Sequence, residues 1–313
     1  MITLNQNNLP FIKRFLVYQK ERFPFIGHGI LVASFSFSAI SYSRICRGET
    51  GFIEWQKYLV AIFTTITLFF LVRIFDEFKD AEDDAAFRKE LPVPRGLISF
   101  KELFLLGTIT VILQIAINAI FYPKMLLMYI AVIVYLCLMG KEFFVHTWLK
   151  KHQFWYVVSH MMIIPLIDVF ASGFDWYLNE LKAPGGLFFF FAVSFMNGVV
   201  LEIGRKIKAP EKEANGVLTY SSMLGTNNAV YLWIIILFAT LGLSISASFF
   251  AGYGLWAMLI MGMVFLICSI PAFLFLKNKS IRNSKMIEYA SALWTALMYL
   301  SLGGIPMLIK MFS

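Results

Sequence analysis

Nine nearly uninterrupted apolar stretches, at about 26–43, 55–75, 102–121, 125–140, 153–171, 185–203, 228–248, 252–276 and 287–309, run through this chain. A helix of about 20 apolar residues crosses a bilayer, and helices or closed barrels are the structures that satisfy their own backbone in lipid. The expected fold is therefore all-α: one polytopic membrane domain over residues 1–313 with about nine transmembrane helices, of which 125–140 is the shortest. Composition excludes a single soluble core, because 59% of residues are hydrophobic and 15% charged, whereas a soluble domain carries about 25% charged. About 24 residues, several of them charged, precede the first apolar run, longer than the n-region of a cleaved signal peptide, so the first span is expected to be retained.

Basic residues accumulate in cytoplasmic loops. If nine spans alternate, all of the 27 Lys and Arg fall on the N-terminal side except Arg44, Arg47, Lys57, Lys124, Lys182 and Lys310. The asymmetry predicts a cytoplasmic N-terminus and a C-terminus on the opposite side, in the plasma membrane if the source is bacterial. The net charge of +8 then reflects topology and attraction to anionic membrane lipid, and no nucleic-acid partner is expected. Cys46, Cys137 and Cys268 lie in or beside different spans without metal or disulfide spacing.

Two loops, about 76–100 and 202–220, concentrate the remaining polar chemistry. The first opens with the acids Asp76, Glu77, Asp80, Glu82, Asp83 and Asp84, directly after the uncharged run from Tyr58 to Val72. Asp76, Asp80 and Asp84 recur every four residues, so a continuing helix would line them along one face. A few carboxylates with positions left for water and phosphate suit Mg²⁺. The simpler alternative is a solvated helix end whose acids pair with Lys79, Arg88 and Lys89.

The second loop leaves the sixth span with Asn197 and Glu202 still in apolar context. It continues through Arg205, Lys206 and Lys208 to Pro210, Glu211, Lys212 and Glu213. Its bases can hold a multiply charged anion, and Pro210 should end the helix and turn the two glutamates back over the mouth. Ordinary cytoplasmic loop charge is the bland reading. Both loops follow even-numbered spans, a placement that suggests two related halves with a site at their interface. Carboxylate-held metal opposite a basic clamp, above an apolar bundle, suits an isoprenoid diphosphate.

These residues resemble the UbiA superfamily of intramembrane prenyltransferases. Asp76-Glu77-x-x-Asp80-x-x-x-Asp84 is similar to that family's N-D-x-x-D-x-x-x-D motif, and Arg88 through Pro92, Pro94, Gly96, Ile98 and Ser99 is similar to its continuation. The second family motif, normally rich in Asp, departs here: Glu202, Arg205 and Lys206 stand where acids are expected, although Gly216-Val-Leu-Thr219 resembles its tail. The resemblance implies Mg²⁺ on Asp76, Asp80, Asp84 and Glu202, with Glu211 as a further carboxylate. It implies diphosphate contacts from Arg88, Lys141, Arg205, Lys206 and Lys212, and a place for Asn197 along the substrate tunnel. It also implies ionisation of the prenyl diphosphate and transfer to an aromatic, quinonoid or other lipophilic acceptor. The alternative within the family is a terpene cyclase that closes the prenyl chain on itself. A non-enzymatic transporter or lipid-binding protein is the third reading, and it predicts charges deep in several spans rather than at one face.

Aromatic residues are read mainly as lipid contact and helix packing, although ring faces can shield a cation. His146, His152 and His160 are placed by no spacing. Gln114 and Asn118 lie within a span, where they bond between helices or line a cavity. Asp168 and Asp175 are expected to reach water at the outer end of the fifth span.

Overall fold

The computed structural model describes residues 9–213 and 216–312, and every regular element among them is helical. In order these are α1 (Phe11–Arg22), α2 (Phe25–Cys46), α3 (Trp55–Lys79), α4 (Ala81–Phe87), α5 (Phe100–Phe121), α6 (Met125–Gly140), α7 (His146–Lys151), α8 (Gln153–Met161), α9 (Ile163–Gly173), α10 (Leu187–Arg205), α11 (Tyr220–Leu224), α12 (Thr226–Phe250), α13 (Gly254–Lys277), α14 (Ile281–Tyr299) and α15 (Ile305–Phe312). A π-helical turn, Leu300–Gly304, joins α14 to α15.

Eight spans among the described residues are long and apolar enough to cross a membrane: α2, α3, α5, α8 with α9, α10, α12, α13, and α14 with α15. The ninth expected span is the 16-residue α6. At 1.5 Å per residue it reaches about 24 Å, short of a hydrocarbon core of about 30 Å. Two other expectations shift. The fifth span breaks at Met162, where Pro165 removes the backbone donor that would bridge the junction. The last span starts at Ile281 rather than 287, because the Ser280 hydroxyl accepts from the Asn283 N–H and caps a charged first turn.

The bundle packs in two groups around α2. On one side α10 lies against α12 and α14, and α13 packs between α12 and α14. Trp233 donates its indole N–H to Ser291 Oγ at 3.0 Å there. Gly204 is needed at this crossing: a Cβ would sit 2.1 Å from Ser291 Oγ. On the other side α3 packs on α5, and α6 on α9. Gln114 donates to Thr67 Oγ1 at 2.8 Å and accepts from Tyr129 at 2.8 Å, while Asn118 donates to Thr64 Oγ1 at 3.0 Å. Gln114 and Asn118 therefore bond between helices.

The described residues before the first span, 9–24, are not a free tail. Arg14 on α1 pairs with Glu102 through contacts of 2.5 and 3.1 Å, and the same Glu102 closes a capping box with Ser99 at the start of α5. At the far end of the bundle, Asp175 is fully buried rather than water-exposed. Ser43 donates to it at 2.8 Å and Arg47 at 2.7 and 3.0 Å, with Arg44 at 3.3 Å. Asp168 is likewise fully buried. The helix break and close packing of α9 on α2, α6 and α10 carry both acids into the protein.

Candidate active site at the motif end of the bundle

The acidic loop does not continue as one helix. α3 ends at Lys79 and α4 begins at Ala81, with Asp80 between them at φ −90°, ψ 10°. That bend divides the carboxylates into two groups. Asp76 and Asp80 share Lys79, whose ammonium lies 3.4 Å from the first and 3.8 Å from the second. Arg73 reaches Asp76 at 3.4 Å from one turn earlier. Glu77 and Asp84 instead face α1: Arg22 meets Glu77 at 2.5 Å and lies 3.9 Å from Asp84. Arg88 closes on Asp84 at 3.0 Å. Burial pushes the Asp84 carboxyl above the usual range, against the pull of Arg88. The expected single line of three aspartates is thus two pairs on opposite sides of a bend.

Across the bundle, α10 brings up the second group. Glu202 is buried and takes Arg205 at 2.7 Å and Lys206 at 2.7 Å. These bases are held on the protein by one carboxylate, but the Arg205 side chain remains 52% exposed at the mouth. Arg205 and Asp76 are close enough to interact electrostatically, which puts the ends of α3 and α10 at the same end of the bundle. The chain after α10 folds back on this end: Tyr220 donates its N–H to the Lys206 carbonyl at 3.2 Å, and Lys208 donates its N–H to Ser221 Oγ at 2.9 Å. The Tyr220 phenol lies in the field of Glu202 and Arg205, and burial raises it to about 12.

Three residues enter that sequence spacing did not assign. Tyr156, near the start of α8, accepts a 2.8 Å hydrogen bond from Lys79 Nζ and feels both Asp76 and Arg205. His160, one turn on, is buried and stacks on Tyr156 with ring centroids 4.0 Å apart. Arg22 comes from α1. No local pattern marks Tyr156 or His160; the heptapeptide around them reads as an ordinary apolar helix. His146 and His152 are exposed and bond within their own turn, to Glu142 and to the Trp148 carbonyl.

Lys141 stands at the end of α6, exposed beside the motif. Gly140 makes this approach possible, because a Cβ there would lie 2.3 Å from the ring of Phe75, the residue before Asp76. Glu211 and Lys212 form an exposed 3-10 turn, and no contact joins them to Asp76, Asp80 or Glu202 among the described residues. Asn197 lies buried deeper on α10. No group of three His, Cys, Asp or Glu side chains converges to hold a metal among the described residues. Asp76 and Asp80 nevertheless fit Mg²⁺, which takes one or two carboxylates and fills its shell with phosphate and water. Asp84 pairs with Arg88 while still feeling the Asp80 charge, Glu202 on α10 holds Arg205 and Lys206, and Glu211 faces outward.

The family model for the UbiA prenyltransferase family matches residues 34–306. No curated protein sequence matches the chain. Among solved structures, the fold is similar to the apo structure of a UbiA homolog from Aeropyrum pernix K1. That likeness has a TM-score of 0.67 at 14% identity, over 91% of this chain and 98% of that one. It is also similar to a structure described under the biosynthesis of digeranylgeranylglyceryl phosphate synthase in membranes, with a TM-score of 0.57 at 16% identity, over 96% of this chain and 99% of that one.

Proposed function

The chain belongs to the UbiA prenyltransferase family, and from that membership we propose that it ionises an isoprenoid diphosphate within the membrane and transfers the prenyl group to an aromatic or other lipophilic acceptor. The observation that carries this reading is that Asp76 on α3 and Arg205 on α10, metal-type and anion-type side chains, lie within each other's field at one end of an apolar bundle. A charged head and a hydrocarbon tail need these two environments side by side.

Asp76 and Asp80 would hold Mg²⁺, which when bound supplies positive charge to the leaving diphosphate. The protein's own part is to place cations where negative charge grows. Arg205 and Lys206 are presented by Glu202, Lys79 by Tyr156, and Arg73 by Asp76. Lys141, Arg88 and Lys212, all in the chain's basic loops, would attract the head from outside. The C1–O bond breaks with its electron pair leaving on diphosphate oxygen, the acceptor carbon bonds to C1, and the acceptor loses a proton. The motif end faces the cytoplasm in this reading, since most bases lie there.

A second reading, cyclisation of the prenyl chain without acceptor, is favoured by the aromatic side chains in the interior. Phe35 and Phe190 stand against Tyr299 with ring centroids at 5.2 and 5.9 Å, a setting that stabilises a carbocation. Incubating the detergent-purified protein with Mg²⁺ and farnesyl or geranylgeranyl diphosphate tests both. Diphosphate release that requires an added aromatic or quinonoid acceptor supports transfer; release with a cyclic hydrocarbon supports cyclisation; no release under either condition removes the proposed function.

A further inference from the structure

The family match begins at residue 34 and gives α1 no role, yet α1 holds the first motif loop at three places. Arg14, Tyr18 and Arg22 recur every four residues and so share one helix face. That face is turned inward: Tyr18 is fully buried and the two arginines are largely covered, whereas Lys13 and Lys20 on the same helix are exposed. Arg22 meets the acidic end of the loop, Glu77 at 2.5 Å and Asp84 at 3.9 Å. Arg95, in its middle, donates to both carboxylate oxygens of Glu21 at 2.8 and 2.9 Å. Arg14 donates to the Leu97 carbonyl at 2.9 Å and pairs with Glu102 where the loop enters α5.

Between α4 and α5, residues 88–99 form turns rather than a regular helix. Their backbone bonds are local, as in the 2.9 Å bond from the Leu97 N–H to the Pro92 carbonyl. A segment of this kind takes its position from what covers it. Ile98 is buried in one apolar cluster with Tyr18 of α1 and with Phe70 and Ile74 of α3, and Val93 packs against that cluster. The loop is thus fixed to the bundle through α1 as well as α3. It also bounds a cavity of about 70 Å³, to which Glu77 and Asp84 contribute carboxylates and Val93, Pro94 and Phe100 apolar groups. Where the loop stands therefore sets the space beside two of the motif acids.

We propose that α1 is a strap that holds the motif loop ready for the anionic head of the substrate. Arg14 and Arg22 are its positioning residues, acting through Glu102 and the Leu97 carbonyl, and through Glu77 and Asp84. The identity of that head rests on the prenyl-diphosphate reading; the strap's hold on the loop does not. Arg88 and Asp84 stand at the start of the loop, 3.0 Å apart, so a strapped loop presents both before the substrate arrives. With the strap released, the loop samples other arrangements, and apparent affinity falls by the fraction of time spent in the competent one. Chemistry proceeds from that competent arrangement in either case. The strap therefore acts on KM and leaves kcat nearly untouched, as expected for binding shared equally by ground state and transition state.

The variants are Arg14→Gln and Arg22→Gln in the full-length purified protein, two so that one misfolded protein leaves the other to decide, with Arg22→Lys as the conservative partner. Amide exchange across residues 88–99 reads the strap. The Kd of inorganic diphosphate with Mg²⁺, and KM and kcat for geranylgeranyl diphosphate, read its consequence. In the glutamine variants exchange in the loop is expected to accelerate about tenfold while α12 and α13 stay protected. Kd and KM should rise about tenfold with kcat held within about threefold, and Arg22→Lys should recover most of the loss. Unchanged loop exchange in the folded variants overturns the strap, as does faster exchange with unaltered Kd and KM. A fall in kcat at constant KM also overturns it, since the arginines would then act on the chemical step. A wild type that binds inorganic diphosphate but turns over no prenyl diphosphate sinks the proposed reaction, while exchange and Kd still decide the strap. A wild type that binds no diphosphate removes the positioning role as well.

Discussion

Lys79 donates a 2.8 Å hydrogen bond to the hydroxyl of Tyr156, and the same ammonium stands between Asp76 and Asp80. One cation thus ties the acidic end of α3 to the start of α8. Tyr156→Phe removes the tie without changing shape. A hydrogen bond to a charged group contributes about 1.5–3 kcal/mol, so kcat/KM for the prenyl diphosphate should fall roughly tenfold to a hundredfold. Steady-state diphosphate release measures it, and an unchanged value would separate Tyr156 from the site.

Asp80→Ala should abolish diphosphate release while leaving the protein folded, because Asp80 is 36% exposed at the helix end and supports no core contact. Chelation of divalent metal should have the same effect in the wild type, reversed by Mg²⁺. Full activity in the chelated enzyme would remove the metal role of Asp76 and Asp80.

Lys206→Ala is expected to raise KM for the prenyl diphosphate and weaken its binding. Glu202 would keep Arg205, so the fold should hold. Glu202→Gln tests the presenting role from the other side: with its carboxylate gone, Arg205 and Lys206 lose their anchor, and kcat should fall more than stability. Unaltered affinity in Lys206→Ala returns these bases to ordinary loop charge.

Arg22→Ala should loosen α1 from the motif end. Glu77 is buried and would retain only the more distant Arg73 at 3.6 Å, so the loss is expected to approach, without exceeding, about 3 kcal/mol. A lower Tm and faster amide exchange in α1 are the readouts. A wild-type Tm would show that the contact contributes nothing.

Asp175→Ala at the far end should be among the most damaging single changes to stability. It leaves Arg44 and Arg47 facing each other without their carboxylate, a loss of about 3–5 kcal/mol for a buried pair. Activity of the surviving folded fraction should be normal, and a selective kinetic defect would contradict a purely structural role.

Orientation can be read by labelling single cysteines placed at Lys208 and at Lys182 with an impermeant maleimide in intact cells, after replacing the native cysteines. Protection of position 208 and labelling of position 182 is the expected result; the reverse would invert the topology.

What could be read along the chain was whatever is local. The apolar spans show because lipid forces each backbone to satisfy itself within about 20 residues. α6 showed its shortness in the same way. The motif carboxylates and the bases after α10 showed because they interrupt long uncharged runs. The break at Met162 was legible in principle from Pro165, and the capped start of α14 from Ser280, but neither signal stands out in an apolar background.

The rest depended on three-dimensional packing. Asp168 and Asp175, read from position as water-facing, are buried because α9 packs against α2, α6 and α10. Tyr156, His160 and Arg22 carry no spacing signal, since their partners lie on other helices: Lys79 for Tyr156, and Glu77 for Arg22. The split of Asp76 and Asp80 from Glu77 and Asp84 follows from one bend at Asp80 and from the bases on either side of it. Periodicity tells which residues share a helix face when the helix is regular. Which helix stands opposite that face, and which charge it brings, is set by packing between segments far apart in the chain, and that is where the candidate site acquires its chemistry.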